Sequence, residues 1–193
     1  TRATVRSFPR RGCVQQPRLS PDGGAIVGVA NSFGESWSLA RMDLASGETA
    51  AISTVDSCTP DWFPGGTGVI YSWRRPGQKE YGWTQLWRAA GEGAPPKLVY
   101  AEEGRHVYGG HVSPDAKYVL FTGNGVEDGD PANGGAPMGL MRLADAPVIG
   151  GGSKALRALH PGAKDGPVLA LPTGWEPCWT LSEAPAGAGK GTP

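Results

Sequence analysis

The chain carries the sequence RLSPDGGAIVGVA at Arg18–Ala30, and two variants follow it, DWFPGGTGVIYSW at Asp61–Trp73 and HVSPDAKYVLFTG at His111–Gly123. Each copy places an apolar residue two positions before a proline, and a tight turn and a β-rich run come after it. The proline recurs after 43 and then 50 residues, at Pro21, Pro64 and Pro114. This spacing is typical of four-stranded blades with loops of variable length. The repeat therefore predicts an all-β propeller.

The pattern predicts four short strands in each repeat, and no segment of any length has the 3.6-residue period of a helix. Each turn joins a first strand to a second one with continuous apolar pairs, as expected where neighbouring blades cover both faces. The predicted second strands are Ala25–Ala30, Gly68–Trp73 and Tyr118–Thr122. The third segments share a Leu-x-Arg core, at Leu39–Arg41, Leu86–Arg88 and Leu140–Arg142. The outer strands that complete each blade are predicted at Ala50–Ser53, Leu98–Ala101 and Val168–Leu171.

A fourth copy begins and stops near the end of the sequence, where Pro177–Thr180 (PCWT) echoes Pro60–Phe63 (PDWF) without a following turn or second strand. We therefore expect about three blades plus the inner strand of a fourth, as in the C-terminal part of a longer propeller. Closing a ring removes open sheet edges, so either upstream blades or a second copy of the chain would complete it. The predicted divisions are an N-terminal segment at 1–13, blades at 14–56, 57–104 and 105–175, a partial blade at 176–183 and a flexible tail at 184–193.

The composition excludes several classes of function. The 193 residues carry 18 Lys and Arg against 18 Asp and Glu, so the formal net charge is zero and no clustered cations favour nucleic acid or an anionic membrane. No apolar stretch approaches the ~20 residues of a transmembrane helix, and the N-terminal sequence lacks the apolar core of a signal peptide. Neither a GxSxG nucleophile motif nor a GxxxxGK[ST] phosphate loop is present. We expect no nucleic-acid partner and no membrane-spanning segment.

The three cysteines, Cys13, Cys58 and Cys178, are odd in number and have no CxxC spacing. They match no zinc or haem motif. One disulfide could form in an oxidising compartment, and buried apolar thiols are the alternative that we favour.

The repeats resemble the WD40-like (PD40) repeats of the TolB propeller family. The matching stretches are an SPDG-type turn, a Leu-x-apolar strand and a Gly-Glu pair before the outer strand, at Leu19–Gly23, Leu39–Glu48, Val112–Asp115 and Glu176–Trp179. The copy at Phe63–Gly66 departs from the pattern because it lacks the aspartate. The resemblance covers about residues 14 to 180 and implies a propeller fold, since these residues build turns and contacts between blades.

The same resemblance implies a periplasmic or otherwise exported setting, because TolB is a component of the Tol–Pal envelope system. Related propellers also occur in prolyl-oligopeptidase-like peptidases and in oligogalacturonate lyases. Fold alone does not choose among these activities. The leading hypothesis is a non-catalytic scaffold that binds a protein or an envelope component through its loops and channel mouth. The alternatives are a metal-dependent polysaccharide lyase or hydrolase and the regulatory propeller of a larger peptidase-like protein.

Two histidines, His106 and His111, lie five residues apart in RHVYGGHVSPD. The resemblance to the lyases implies imidazoles that bind metal in the channel, and these two residues are the candidates. Five positions along one extended strand place two side chains on opposite faces unless Gly109-Gly110 breaks the register. Histidines on the surface or in structural hydrogen bonds are the alternative.

The loop Glu127–Gly134 clusters oxygen-bearing side chains, among them Asp128, Asp130 and Asn133. Such ligands suit Ca²⁺ or another hard divalent cation, although the spacing does not fit an EF-hand. A solvated loop rich in turns is the alternative. We expect no cofactor apart from such a divalent metal.

Aromatic residues and one long connection supply candidate binding surfaces. Tyr81 and Trp83 are the surface candidates for a protein or sugar partner, whereas Trp73 and Trp87 are expected to pack between blades. The connection Ala144–Gly166 separates the third and fourth strands of the last full blade and is much longer than its counterparts. Together with the loop 127–134 it is the predicted variable face for a partner, or else a decoration without function.

Overall fold

A computed structural model of the protein describes residues 14–30, 37–54, 56–74, 84–91, 94–102, 106–124, 137–150, 168–173 and 177–179. The described part is built from strands and two short 3-10 turns, and it divides into three antiparallel sheets. Each sheet follows the chain order of its first three strands, which is the meander of a propeller blade.

Thirteen strands are present in these residues. Blade 1 comprises β1 (Val14–Leu19), β2 (Ala25–Ala30), β3 (Leu39–Asp43) and β4 (Thr49–Ser53). Blade 2 comprises β5 (Ser57–Trp62), β6 (Val69–Trp73), β7 (Gln85–Ala89) and β8 (Lys97–Glu102). Blade 3 comprises β9 (His106–Val112), β10 (Tyr118–Asn124), β11 (Pro137–Arg142) and β13 (Val168–Thr173). The remaining strand, β12 (Val148–Gly150), joins the sheet of blade 2.

Every predicted second, third and outer strand is found, but the Leu-x-Arg core of blade 3 is out of register with the other two. Val27 pairs with Arg41 in blade 1 and Ile70 pairs with Arg88 in blade 2, whereas the equivalent Leu120 pairs with Leu140. The leucine of the third core therefore stands where the arginine stands in the first two. A shift of two residues keeps every side chain on the same face of a strand, so the hydrophobic pattern alone could not reveal it.

The Ser-Pro-Asp turns owe their shape to the serine and the aspartate. The Ser20 hydroxyl donates to Asp22 Oδ1 at 2.6 Å and accepts from the Ala25 amide at 2.8 Å. Blade 3 repeats the first of these bonds between Ser113 and Asp115, also at 2.6 Å. These bonds lower the pKa of both carboxyls, with the serine hydroxyl as the main cause.

Blade 2 closes the same turn without serine or aspartate. Its backbone bond is kept, since the Phe63 amide donates to the Gly68 carbonyl at 2.9 Å. Gly65 and Gly66 take left-handed φ values of 79° and 71°, which glycine adopts without steric cost. Phe63 stands at the position of the serine, and its ring centre lies 4.1 Å from the Arg88 guanidinium, a cation–π contact.

Each inner strand contains a bulge at the same repeat position, and the bulges connect the blades. Gln16, Thr59 and Gly109 stand three residues before the last residue of their strands and have φ values of 49°, 47° and 59°. The pairing register shifts at each of them. The Thr59 amide donates to Gln16 Oε1 at 2.7 Å, and the Gly109 amide donates to Thr59 Oγ1 at 3.1 Å. In blades 2 and 3 the amide released by the bulge is therefore satisfied by the side chain at the same position of the preceding blade.

Two hydrophobic clusters form the contacts between blades, and we call them seam 1–2 and seam 2–3. At seam 1–2, blade 1 contributes Ala25, Val27, Val29 and Leu39, and blade 2 contributes Trp62, Val69, Tyr71 and Trp87. At seam 2–3, blade 2 contributes Phe63, Ile70, Leu86, Val99 and Tyr100, and blade 3 contributes Val107, Val112, Val119, Phe121, Met141 and Val168. Trp87 is buried and Trp73 is half-buried beside it, so the expectation that these two pack between blades is confirmed.

The connection Ala144–Gly166 is not only a loop, because part of it adds a strand to blade 2. Val148 and Ile149 of β12 pair in parallel with Tyr100 and Ala101 of the outer strand β8. This strand could not be predicted from the sequence pattern, because three residues are too few to show a period. The rest of the connection, 151–167, lies outside the described residues.

The fourth copy meets blade 3 in the way that blade 2 meets blade 1. The Trp62 indole N–H donates to the Arg18 carbonyl at 2.9 Å, and the Trp179 indole N–H donates to the His111 carbonyl at 2.9 Å. Arg18 and His111 occupy the same repeat position. Trp179 thus stands where the first strand of a fourth blade would end, as Trp62 ends β5, although Pro177–Trp179 has no strand pairing within the described residues.

Candidate functional site

The meander places two kinds of connection at opposite ends of the blades. The connections within blades between first and second strands span five or six residues, as at 20–24, 63–68 and 113–117. Those between second and third strands span eight to twelve, as at 31–38, 74–84 and 125–136. Because alternate connections of an antiparallel meander lie at the same end, the protein has a turn end and a loop end. Long connections are where binding residues concentrate.

A pocket of about 220 Å³ opens at the loop end, where blades 1, 2 and 3 converge. Its walls come from the residues that flank the long connections and from the starts of the inner strands, namely Trp37, Asp56, Ser57, Cys58, Arg74, Thr84 and Tyr108. All three blades therefore contribute to this pocket.

Backbone hydrogen bonds fix the rim of this pocket. The Ser57 amide donates to the Trp37 carbonyl at 2.7 Å, and the Arg74 amide donates to the Asp56 carbonyl at 3.0 Å. Trp37 and Asp56 both take left-handed φ values, 67° and 46°. Such backbones cost free energy in residues other than glycine and persist where the surrounding contacts hold them. The rim is therefore preorganised.

The rim combines an exposed aromatic side chain with an exposed cation. Trp37 is 46% exposed, and Arg74 is also exposed. Tyr108 is half-buried below them and stacks on His106, with ring centres 5.8 Å apart and planes at 18°. Tryptophan, tyrosine and arginine are the residues that contribute most to binding at protein interfaces.

The ionisable groups in the floor of the pocket are held in their neutral forms. Burial raises the pKa of the Cys58 thiol to about 11, so the thiol stays protonated and unreactive at neutral pH. Burial also raises the pKa of the Tyr108 hydroxyl. The floor offers neutral hydrogen-bonding groups rather than an activated nucleophile.

His106 lies beside this floor and has a structural partner. Its Nδ1 accepts from the Thr84 amide at 3.0 Å and lies 2.9 Å from the Thr84 hydroxyl. Burial lowers the pKa of its imidazole, and the positive charge of Arg74 lowers it further. A neutral ring with its proton on Nε2 fits this arrangement.

His111 has a different partner, because its Nδ1 lies 2.8 Å from Asp61 Oδ2 of blade 2. The bulge at Gly109 does break the register: His106 pairs with Asn124 and His111 with Leu120, an even separation on β10 that puts both on one face. Even so, each Nδ1 is directed to its own partner in blade 2. In the described part of the chain, no group of three or more His, Cys, Asp or Glu side chains is placed to hold a metal ion.

The remaining predicted site residues lie in parts of the chain that the structure does not describe. Tyr81 and Trp83 belong to the connection 74–84, and Asp128, Asp130 and Asn133 belong to the connection 125–136; all five lie outside the described residues. Both connections start and finish at the loop end.

The prediction of buried free thiols is met in part by the two cysteines that the structure describes. Cys58 is a free thiol packed against seam 1–2, and Cys178 is a free thiol too, but it is exposed rather than buried. Cys13 lies outside the described residues.

Sequence reasoning missed Trp37 and Arg74. A tryptophan in the polar stretch Asn31–Ser38 and an arginine directly after the apolar strand β6 were the signals that could have found them. Both stand at the junction of a strand with a long connection, where a large side chain has no neighbouring strand to cover it.

Comparison with known proteins bears on the fold. No model of a known protein family matches the sequence, and no curated protein matches it. Among solved structures, TolB from Acinetobacter baumannii superposes with a TM-score of 0.51 at 20% identity, over 67% of this chain and 30% of that one. A putative TolB from Agrobacterium tumefaciens gives a TM-score of 0.51 at 22% identity, over 64% of this chain and 43% of that one.

Propellers of peptidases are similar to the same degree. A structure from an analysis of two prolyl endopeptidases gives a TM-score of 0.50 at 18% identity, over 84% of this chain and 22% of that one. The chain thus spans less than half the length of each of these neighbours. At such identities the likeness establishes the fold alone: the described part of this chain has the β-propeller fold that these structures share.

Proposed function

We propose that the protein is a non-catalytic propeller scaffold that binds a protein partner at its loop end, with Trp37 and Arg74 as the anchors. The observation that carries the proposal is the exposure of these two side chains on a rim held by backbone hydrogen bonds. An apolar side chain of the partner would cover the Trp37 indole, and a carbonyl or carboxylate would accept from the Arg74 guanidinium.

The chemistry of the surrounding groups supports binding rather than catalysis. The Cys58 thiol is protonated at neutral pH because its pKa is about 11. The Nδ1 atoms of His106 and His111 are engaged with Thr84 and Asp61. A rigid ring with variable loops on one end suits recognition.

The resemblance of the repeats to TolB adds a setting to this proposal. It favours an exported, periplasmic protein whose partner is a protein of the cell envelope. Within the described residues, no helix is both long and apolar enough to cross a membrane.

The test places a photo-crosslinking amino acid, p-benzoylphenylalanine, at position 37 at the loop end and, as a matched control, at position 117 at the turn end. Lys117 is exposed and lies on the turn between β9 and β10. Envelope extract of the source organism is irradiated with each variant, and crosslinked proteins are identified by mass spectrometry. We expect a discrete partner from position 37 and none from position 117.

Binding of the purified partner then checks the anchors. Trp37→Ala and Arg74→Ala should each weaken the affinity about tenfold or more, since interface anchors contribute on the order of 2 kcal/mol. Lys117→Ala should leave it unchanged. Equal crosslinking from both ends, or affinity indifferent to Trp37→Ala and Arg74→Ala, would contradict the proposal.

A further inference from the structure

A second cavity lies at seam 1–2, near the turn end and away from the loop-end pocket. It has a volume of about 710 Å³, within the range of ligand-binding clefts. The outer strand β4 supplies one wall through Ala50–Ile52, and the end of β7 with the two residues after it supplies another through Ala89–Gly91. The indole of Trp62 and the ring of Tyr71 are among the residues at its floor.

At seam 2–3 the chain itself fills the corresponding space. The outer strand there is β8, the equivalent of β4, and the third strand of the next blade is β11, the equivalent of β7. Leu143, Ala146 and Val148 follow β11 directly and pack against the hydrophobic cluster of seam 2–3. The same segment continues into β12, which pairs in parallel with β8.

Among the residues that the structure describes, blade 2 lends no such filling segment to blade 1. Its link from β7 to β8 covers residues 90–96, and Ala94, Pro95 and Pro96 line the cleft rather than occupy it. Within the described residues β4 is the terminal strand of its sheet, whereas β8 is not. The cleft is therefore the counterpart, at seam 1–2, of the space that Leu143, Ala146 and Val148 cover at seam 2–3.

We propose that the cleft of seam 1–2 binds an extended, mainly apolar segment of a partner protein, of the pattern Leu-x-x-Ala-Pro-Val, laid along β4 as residues 143–150 are laid along β8. The leucine and the β-branched residue would cover the Trp62 and Tyr71 rings, and the segment would extend the sheet of blade 1. Addition of a strand at a sheet edge is a recurrent mode of peptide recognition.

The composition of the walls favours such an apolar segment. Arg41 is the lining residue that carries a charge at neutral pH, and it interacts electrostatically with Asp22 and Asp43. The other walls are mainly alanine, glycine, proline and aromatic side chains. A cleft of this kind offers mainly area for apolar contact.

The chain supplies its own probe, the synthetic peptide RLADAPVIG of Arg142–Gly150. Labelled peptide is titrated with the full chain and binding is followed by fluorescence anisotropy up to about 1 mM, because a segment released from its chain loses an effective concentration in the millimolar range. We expect saturable binding, and at least tenfold weaker binding when aspartate replaces the valine of the peptide.

Two protein variants locate the site. Ala51→Trp should weaken the binding at least tenfold, because Ala51 is an exposed residue of the cleft wall and a tryptophan there fills the space. Ala45→Trp is the matched control, since Ala45 is exposed on the turn between β3 and β4 outside the cleft. It should leave the affinity unchanged.

Three outcomes would overturn the inference. They are no binding up to 1 mM, binding indifferent to Ala51→Trp, and self-association of the chain that Ala51→Trp abolishes, which would assign the cleft to a second copy. The inference goes beyond the proposed function, and the two fail separately: Trp37→Ala tests the loop end, and Ala51→Trp tests the cleft.

Discussion

Seam 1–2 joins a small face to a large one, whereas seam 2–3 joins two faces of intermediate size. The blade 1 face of this seam consists of alanine, valine and one leucine, and the blade 2 face that packs against it contains Trp62, Tyr71 and Trp87. At seam 2–3 the positions of Trp62, Tyr71 and Trp87 are taken by smaller or different residues, namely Val112, Phe121 and Gly139. The first seam keeps an open cleft, and the second is covered by residues 143–150. Equivalent positions of a repeat can therefore differ in side-chain size and in how much they contribute to the contact between blades.

The largest effect is expected from removing the main aromatic of seam 1–2. Trp62 is 8% exposed and its indole N–H holds the Arg18 carbonyl, so Trp62→Ala should lower the free energy of unfolding by about 3–5 kcal/mol. Leu19 has the same repeat position in blade 1 but is 60% exposed, so Leu19→Ala should stay within about 0.5 kcal/mol. Urea denaturation compares the two. Equal losses would mean that seam 1–2 does not bear on stability as its burial indicates.

At seam 2–3 the sensitive position is a glycine. A Cβ at Gly139 would lie 2.4 Å from the Phe121 ring, which is fully buried, so Gly139→Ala should cost about 1–3 kcal/mol by overpacking. Phe121→Leu in the same chain should recover part of that loss. Gly110→Ala is the matched control, because its Cβ meets the flexible ends of Ile70 and Leu86 at 3.1 Å. A Gly110→Ala loss as large as that of Gly139→Ala would contradict the tight fit.

Removing a hydrogen bond between bulges should lower the free energy of unfolding by a smaller amount. Such a bond is present at both seams. Thr59→Val keeps the shape of the side chain but removes the hydroxyl that accepts from the Gly109 amide, and it should cost about 1–2 kcal/mol. Thr59→Ser keeps the hydroxyl and should cost less. Thermal unfolding of the two variants decides the point: if serine and valine behave alike, the hydroxyl does not connect the blades.

Most of the fold could be predicted from the sequence, and the reasons are local. Pro21-Asp22 and Pro114-Asp115 mark turns whose chemistry lies within four residues, and the apolar runs after them form β2 and β10. The bulge at Thr59 could not be predicted, because its left-handed backbone is held by a side chain of another blade.

The candidate site was harder to predict than the fold. The five site residues from the long connections stay predictions, and His106 and His111 have partners at Thr84 and Asp61 that only tertiary structure brings near. Strand β12 could not be predicted for the same reason, because its pairing with β8 joins residues about 48 positions apart.

The smallest effect is expected on the pH dependence of folding stability, through His106 at the start of blade 3. Burial lowers the pKa of His106, so the unfolded chain takes up a proton at a higher pH than the folded one. Stability should therefore fall as pH is lowered through the ordinary histidine value near 6.5 and down toward the folded-state pKa. His106→Asn keeps an acceptor for the Thr84 amide without titrating, and it should flatten this slope between pH 7.5 and 5. An unchanged slope would place the pH dependence elsewhere.

The central contrast is that residues 143–150 cover the outer strand of blade 2 while the outer strand of blade 1 is the edge of its sheet in the described structure. Amide hydrogen exchange, measured for β8 and β4 in one sample, tests it directly because the two strands are equivalent elements of one repeat. We expect amides within Tyr100–Glu102 to exchange at least tenfold more slowly than those of Ala50–Ile52, since β12 protects them. Equal exchange in the two strands would contradict the account.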